Sequence, residues 1–345
     1  MTETTPKTPK KSGGPIIKTR FFEIIPTGTK IDFMKMAPYM IGFTVMLGIA
    51  SLIIIFLHGF NWGIDFAGGL EMRIEMKNAA KNVSISEVRD TMSKLPADLP
   101  LSGVQVNSFL MADKNVFSIK AKGEENVTRA GGDTALNDLS AKLMKFLTAK
   151  YGDNNVSIVS VDMVGPRVGA SLRQQGLYAI IYAMIGIVIY VGFRFNFRYS
   201  PGALLCLFHD VVIVAGLYAL LNLEIDLTVV AALLTIAGYD INDTIVVFDR
   251  IREARSGKYR NLTIRETVNR AINETLSRTT LTSATTLFVV FALLFLGGQI
   301  LFNFALALAV GIVLGTYSSI FIAAPTYVLL EEFYVNRRKA KGAKA

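Results

Sequence analysis

The chain has 345 residues, of which 52% are hydrophobic and 18% charged, and it carries a formal net charge of +9. Long charge-free runs recur, which a water-soluble domain of this length would not need, so composition points to a membrane protein. The basic excess is not laid out as a nucleic-acid footprint. Residues 62–175 hold 14 Lys+Arg against 13 Asp+Glu, and the other 22 basic residues sit in the N-terminal arm, in short flanks of apolar runs and in the tail.

Residues 1–36 are rich in Lys, Thr, Pro and Gly and read as a basic cytosolic arm, with a short interfacial piece at Phe21–Pro26. Ala37–Leu57 gives 21 residues without a charge, a first membrane span. The following His58-Gly-Phe-Asn-Trp-Gly63 has no small-x-small cleavage pattern, so this helix is expected to stay. Residues 58–175 have ordinary soluble composition. Leu70–Met76 alternates as a strand, and Ser84 or Ser86 opens a helix ending near Pro96. Val104–Leu110 and Val116–Ala121 read as a hairpin across Ala112–Asn115, Thr134–Lys150 as a helix and Val156–Asp162 as a last strand. The order β-α-β-β-α-β is the ferredoxin-like arrangement, and its near neutrality fits the translocated, extracytoplasmic side.

Gly176–Phe193 is the second span, Gly202–Leu221 the third and Leu227–Phe248 the fourth, which leaves through Asp249. Residues 250–278 form a basic loop with eight Lys+Arg, in which Thr263-Ile-Arg-Glu266 is a capping box. It should open an amphipathic helix whose Ile264, Val268, Ile272 and Leu276 lie along the membrane surface. Thr279–Leu296 is the fifth span, Leu301–Leu330 a long sixth, and 331–345 a basic tail. Six spans with every basic flank on the side of both termini obey the positive-inside rule, so both termini are expected in the cytosol.

The chemistry concentrates in the fourth span. There the chain places Asp240, Asn242 and Asp243 in an otherwise apolar run. A carboxylate at bilayer depth costs roughly 2.5–3.5 kcal/mol even on the lenient insertion scale, so such acids face a bundle interior and mark ion pathways, or else lock helix packing. Asp240 and Asp243 are three apart and share a helical face, so they are expected to interact and titrate as a pair. Asp243 lies six residues before Asp249, roughly 9 Å from the boundary. Asp249, beside Arg250, reads as a solvated boundary charge.

Asp210 reaches a similar depth on the third span, whose tight outer turn makes it an antiparallel neighbour of the fourth. Carboxylates brought together in low dielectric cannot all ionise, and a group that keeps its proton can load from one side and release to the other. His209 is either a participant or a packing residue. Arg278 opens the fifth span, as a switchable partner for a carboxylate or as a membrane anchor. Thr279, Thr280, Thr282, Ser283, Thr285 and Thr286 follow it. On the sixth span Ala307, Gly311, Gly315, Ser319 and Ala323 recur at every fourth residue, a small-residue stripe for close helix packing.

Nucleotide, metal and nucleophile signatures are missing: Gly68-Gly69 lacks the loop length and Lys-Ser/Thr that phosphate cradling needs. No cofactor, metal or catalytic residue is expected, and the chain does not read as an enzyme. Tyr239-Asp240 is half of an intramembrane aspartyl protease signature, but its Gly-x-Gly-Asp partner does not occur.

Four segments carry a family resemblance. Gly59-Phe-Asn-Trp-Gly-Ile-Asp-Phe-Ala-Gly-Gly69, with Asp65, Phe66, Gly68 and Gly69, resembles an Asp-Phe-x-Gly-Gly element after a first helix. Val164-Gly-Pro-Arg-Val-Gly169 resembles the return to the second helix, and His209-Asp-Val211 with Glu224-Ile-Asp-Leu-Thr228 the third-helix region. Tyr239–Glu253 is similar to a fourth-helix signature. Together they resemble the SecF family, smaller subunits of the SecDF protein-export complex in the RND superfamily. The resemblance implies an RND/SecDF-type α-helical membrane protein with six spans, in the bacterial inner membrane. It implies an accessory subunit that works with SecD at the SecYEG channel on secreted preproteins, driven by the proton motive force, with YajC as a further partner. On this sequence it puts the essential acid at Asp243 and the fifth-helix arginine at Arg278. The departure is Asp240, where the family often has Ser after Gly-Tyr. The alternative is an RND-type proton-driven transporter of lipids or small molecules, which normally has larger outer domains and paired six-span halves.

Overall fold

A backbone in hydrocarbon has no water to bond, so each apolar run must close into a helix that satisfies its own N–H and C=O groups. The computed structural model describes residues 29–77, 82–96, 99, 101–111, 114–123, 125–195, 197–257 and 261–342. Among them six helical segments are long and apolar enough to cross a membrane. In chain order the elements are α1 (Phe33–His58), β1 (Asn61–Trp62), α2 (Ile64–Ala67), β2 (Gly69–Met76), α3 (Ile85–Ser93), β3 (Leu101–Met111), β4 (Lys114–Gly123), α4 (Glu125–Tyr151) and β5 (Val156–Val164). There follow α5 (Pro166–Arg194), α6 (Ser200–Leu220), β6 (Glu224–Ile225), α7 (Leu227–Ser256), α8 (Ile264–Leu296), α9 (Gly298–Ser318), a π-helical turn at Ser319–Ala323, and α10 (Ala324–Gly342). The interfacial piece expected at Phe21–Pro26, most of the 1–36 arm, turn residues 112–113 and the end of the tail lie outside the described residues.

Between α1 and α5, strands β2 to β5 form one sheet in the order β3-β4-β2-β5, every neighbouring pair antiparallel. Alternation drives it: Leu70, Met72, Ile74 and Met76 of β2 point to one face and are buried there with Phe117 and Ile119 of β4. Val88 and Met92 of α3 and Leu139, Leu143 and Leu147 of α4 complete that core. Ser84 starts α3 by accepting the N–H of Glu87. α4 begins at Glu125 rather than the expected Thr134.

The membrane helices run past their expected ends. α1 starts at Phe33, where the Asp32 side chain accepts the N–H of Lys35. α5 starts at Pro166, a residue suited to a first helical turn because its missing N–H would be unpaired there. The expectation of a separate surface helix in 250–278 is corrected. The Thr263 capping box is present, but it opens a single helix, α8, which continues without a break to Leu296. No Gly or Pro interrupts residues 264–296. Val268, Ala271, Ile272 and Leu276 are buried against Phe248 and Ile251 of α7 instead of lying in the interface plane. The same packing carries α7 beyond Asp249 to Ser256. At this end of the bundle Glu331 takes ion pairs from Arg198 (2.9 Å) and Arg255 (3.0 Å), and Tyr199 stacks on Tyr327 with ring centres 4.2 Å apart.

At the opposite end the domain is tied to the bundle. β1 pairs in parallel with β6, Asn61 opposite Glu224 and Trp62 opposite Ile225, a link the sequence did not suggest. Lys120 of β4 donates to Glu224 at 2.8 Å with both side chains largely buried. Burial pulls the Lys120 ammonium toward neutrality, but the hydrogen bond and charge of Glu224, with the charges of Glu71 and Asp226, outweigh it and raise its pKa above the ordinary lysine value. Because the folded value is the higher one, this contribution is complete below the ordinary lysine range and is lost only as pH climbs through the raised value. Lys120→Met strands Glu224 and is expected to cost about 3 kcal/mol at neutral pH, most of which Glu224→Gln restores in the double variant. A double-mutant cycle of thermal unfolding checks this; simply additive losses would show that the two groups are uncoupled.

Candidate functional site

The bundle core consists of two apolar clusters with a polar layer between them. Toward the termini, Cys206, Val247, Phe248, Ile251, Ile272 and Tyr327 belong to one cluster. Toward the domain, Val214, Tyr218, Val229, Ile236, Leu308 and Ile312 belong to the other. The stretch of each helix that lies between them carries Asp210 on α6, Asp240, Asp243 and Thr244 on α7, Ser283 on α8, and Thr316 and Ser318 on α9. Asp210, Asp240 and Asp243 are 0%, 2% and 1% exposed. Three carboxyl groups are therefore removed from water and depend on neighbours for hydrogen bonds.

Asp210 is held on both sides. Ser318 donates to its Oδ2 at 2.6 Å, and the Nδ1 of His209 lies 2.7 Å from its Oδ1. An oxygen of Asp240 lies within 4.8 Å of an oxygen of Asp210 across the α6–α7 contact, and Ser318 Oγ touches both groups. The Cys206 thiol lies 3.0 Å from Ser318 Oγ and 3.5 Å from Asp240 Oδ1, and Ser318 Oγ is also 3.5 Å from that oxygen. A thiol sulfur and one oxygen from each carboxyl group lie within 4.8 Å of one another. That spacing needs no metal to explain it, because Ser318 and His209 already bind the group together. Ser318 immediately precedes the π-helical turn, whose wider winding changes the direction of the side chains around it.

Asp243 faces the other way. Ser283 of α8 donates to its Oδ2 at 3.3 Å, and Ser283 and Thr316 hydroxyls are 2.7 Å apart. The expected pairing of Asp240 with Asp243 is thus redirected: both carboxyls lie in the same layer, but Asp240 turns to α6 and Asp243 to α8. Arg278 is exposed and forms no ion pair with the three carboxylates. Within the hydroxyl run after it, Thr279, Thr282 and Thr285 bond carbonyls of their own helix, and only Ser283 reaches a carboxylate. Thr286 accepts from Tyr239 at 3.2 Å. Asp249 pairs with Arg252 at 2.8 Å on the surface. Sequence reasoning passed over Ser318 and Thr316, since a hydroxyl in a span more often bonds its own helix carbonyls.

The Asp65–Gly69 element sits at the head of this helix. Asp65 Oδ2 accepts the N–H of Leu227, the first residue of α7, at 3.0 Å. Phe66 is buried in the domain-side cluster. Gly68 has φ +77° and Gly69 φ +155°, and a Cβ on Gly69 would stand 2.5 Å from the carbonyl oxygen of Ala121, so the residue lets β2 meet β4.

A family model for the SecD/SecF C-terminal region of protein export membrane proteins matches residues 144–332, and one for the SecD/SecF GG motif matches residues 53–80. The chain is 38% identical over 316 residues to the protein translocase subunit SecF of Calditerrivibrio nitroreducens, covering 90% of this chain and 98% of the relative. It is 40% identical over 307 residues to that of Thermodesulfovibrio yellowstonii, covering 88% and 95%. A crystal structure of SecDF, a translocon-associated membrane protein from Thermus thermophilus, superposes with a TM-score of 0.73 at 35% identity, covering 90% of this chain. The chain spans 40% of that longer SecDF polypeptide.

The small-residue stripe places the two α7 groups that matter most. A Cβ on Gly311 would meet Ile236 at 2.4 Å, whereas one on Gly315 would meet Asp240 Oδ1 at 3.1 Å. Gly311→Ala is expected to destabilise the bundle by about 1–3 kcal/mol through overpacking, and Gly315→Ala by less because a carboxyl can swing aside. Comparison of the two thermal midpoints in one detergent tests the order.

Proposed function

The chain belongs to the SecD/SecF family of protein export membrane proteins, and from that membership we propose a specific role for its polar layer. The protein is an accessory subunit of the Sec export machinery, spans the membrane several times, and couples proton movement through its helices to preprotein translocation or release on the outer side. It does so beside SecD and the SecYEG channel, with YajC as a further candidate partner. It performs no covalent chemistry of its own.

The observation that carries this reading is the burial of Asp210, Asp240 and Asp243 in one layer sealed by apolar clusters on both sides. Charged groups at that depth are costly and are retained where an ion crosses. Asp243 is the central relay group. Its hydroxyl partner Ser283, itself bonded to Thr316, suits either protonation state, because a hydroxyl both donates and accepts. Arg278, exposed on the side of the layer toward the termini, is the cation proposed to meet a proton arriving or leaving. Asp210, Asp240 and His209 extend the relay across α6. The four-stranded domain, with the ferredoxin-like strand order, is the extracytoplasmic working part, and both chain termini are cytoplasmic at a bacterial inner membrane.

Two outcomes are expected. Asp243→Asn inserts and binds its partner subunit normally but loses proton-gradient stimulation of secretion in inverted vesicles; retained stimulation would remove Asp243 from the relay. A cysteine replacing Asp153, in the exposed turn between α4 and β5, reacts with an impermeant maleimide in whole cells whose outer membrane is permeable. Labelling that requires lysis would invert the topology.

A further inference from the structure

The hydrogen count around Asp240 does not close if every carboxyl group is ionised. Asp240 is 2% exposed, and its buried Oδ2 has no hydrogen-bond partner among the described residues. Among the described residues its Oδ1 has only the Cys206 thiol and the Ser318 hydroxyl, each at 3.5 Å. Ser318 has one hydrogen, and the 2.6 Å contact commits it to Asp210 Oδ2. Cys206 also has one, shared between Ser318 at 3.0 Å and Asp240 at 3.5 Å. A sealed carboxylate with at most one weak thiol donor is not a stable arrangement, since the desolvation of a charge has to be met by strong hydrogen bonds.

The remaining neighbours do not supply the missing donor. On α6 the group facing the cluster is His209, whose Nδ1 is taken up with Asp210. On α7, Thr244 reaches only the Cys206 sulfur, at 4.0 Å, and Asp243 is itself an acid. On α8 the polar group is Ser283, engaged with Asp243 and Thr316, and Arg278 forms no ion pair with Asp210 or Asp240. On α9, Gly315 presses against Asp240 but contributes no side chain.

We propose that Asp210 and Asp240 form a carboxyl pair that holds a single proton between them, a second proton-binding position distinct from Asp243. An oxygen of each group lies within 4.8 Å of an oxygen of the other, with Ser318 Oγ against both, and two ionised carboxylates have no hydrogen with which to bond each other. One proton supplies that bond and removes one of two adjacent negative charges. Asp210 is the member that carries the charge, because His209 and Ser318 point their polar atoms at it. Asp240 is the member that carries the proton. His209, with its Nε2 buried and unpartnered, orients Asp210 and thereby fixes which way the shared hydrogen bond runs.

The use of this proton in export rests on the coupling reading above, but its presence does not, and infrared spectroscopy separates the two. The full-length chain in lipid nanodiscs at neutral pH is expected to show a carboxylic-acid C=O band that shifts in deuterated water. Asp240→Asn removes the band, since the remaining acid is the ionised one. Asp210→Asn keeps it but moves it to higher frequency, because the acid has lost its strong acceptor. Asp243→Asn leaves it in place even while gradient-driven secretion is lost. If wild-type protein lacks the band, or Asp240→Asn retains it unchanged, there is no shared proton. Loss of the band on adding sodium or zinc ions at constant pH would make the cluster a cation site and overturn the proposal. A secretion assay that never responds to a proton gradient, with the band intact, would defeat the export role alone.

Discussion

Keeping carboxyl groups out of water inside a helical bundle is the constraint on which the rest of the architecture depends. The effective penalty is several kcal/mol per ion, more than any single surface contact returns, so the surrounding structure has to be arranged to meet it. Two apolar clusters close the layer from above and below. The polar partners then come from three helices: His209 and Cys206 from α6, Ser283 from α8 and Ser318 from α9. That convergence requires close helix approach, which Gly315 allows against Asp240 and Gly202 against Ala323.

The π-helical turn belongs to the same arrangement. An unbroken α-helix would keep the small-residue stripe in strict register from Ala307 to Ala323. Instead the N–H of Ala324 reaches the carbonyl of Ser319, and the last turns of the span are wound differently from the first. The turn starts one residue after Ser318, the hydroxyl that joins α9 to Asp210. Such turns cost helix stability and occur frequently where a functional side chain must be re-aimed.

Much of this was legible in the sequence. Charge-free runs defined six spans, period-two apolar residues defined β2, and the isolated acids defined the depth of the site. What was not legible follows from the nature of the signals. Periodicity cannot say whether residues 264–276 lie on a membrane or against α7, because both environments want one apolar face. It took Phe248 and Ile251 to settle that the helix runs straight on. Spacing put Asp240 and Asp243 on one face, but a carboxyl group on a flexible stem turns toward whichever donor packing supplies, and those donors come from residues far along the chain. The Lys120–Glu224 pair, 104 residues apart, has no local signature at all.

The bond from Leu227 to Asp65 sets a mechanical relation between the two halves of the molecule. α7 behaves as a stiff rod, and Leu227 to Asp240 is thirteen residues, about 20 Å at helical rise. The upper end of that rod is pinned to the segment from which β2 departs, and a β1–β6 ribbon runs alongside the joint. A tilt of the sheet that preserves these bonds cannot leave the rod where it was. Displacements of α7 against α6 and α8 of well under an ångström would suffice to change which donor a carboxyl oxygen meets. The few residues from Asp65 to Gly69 thus join the base of the sheet to the head of the rod that carries Asp240 and Asp243.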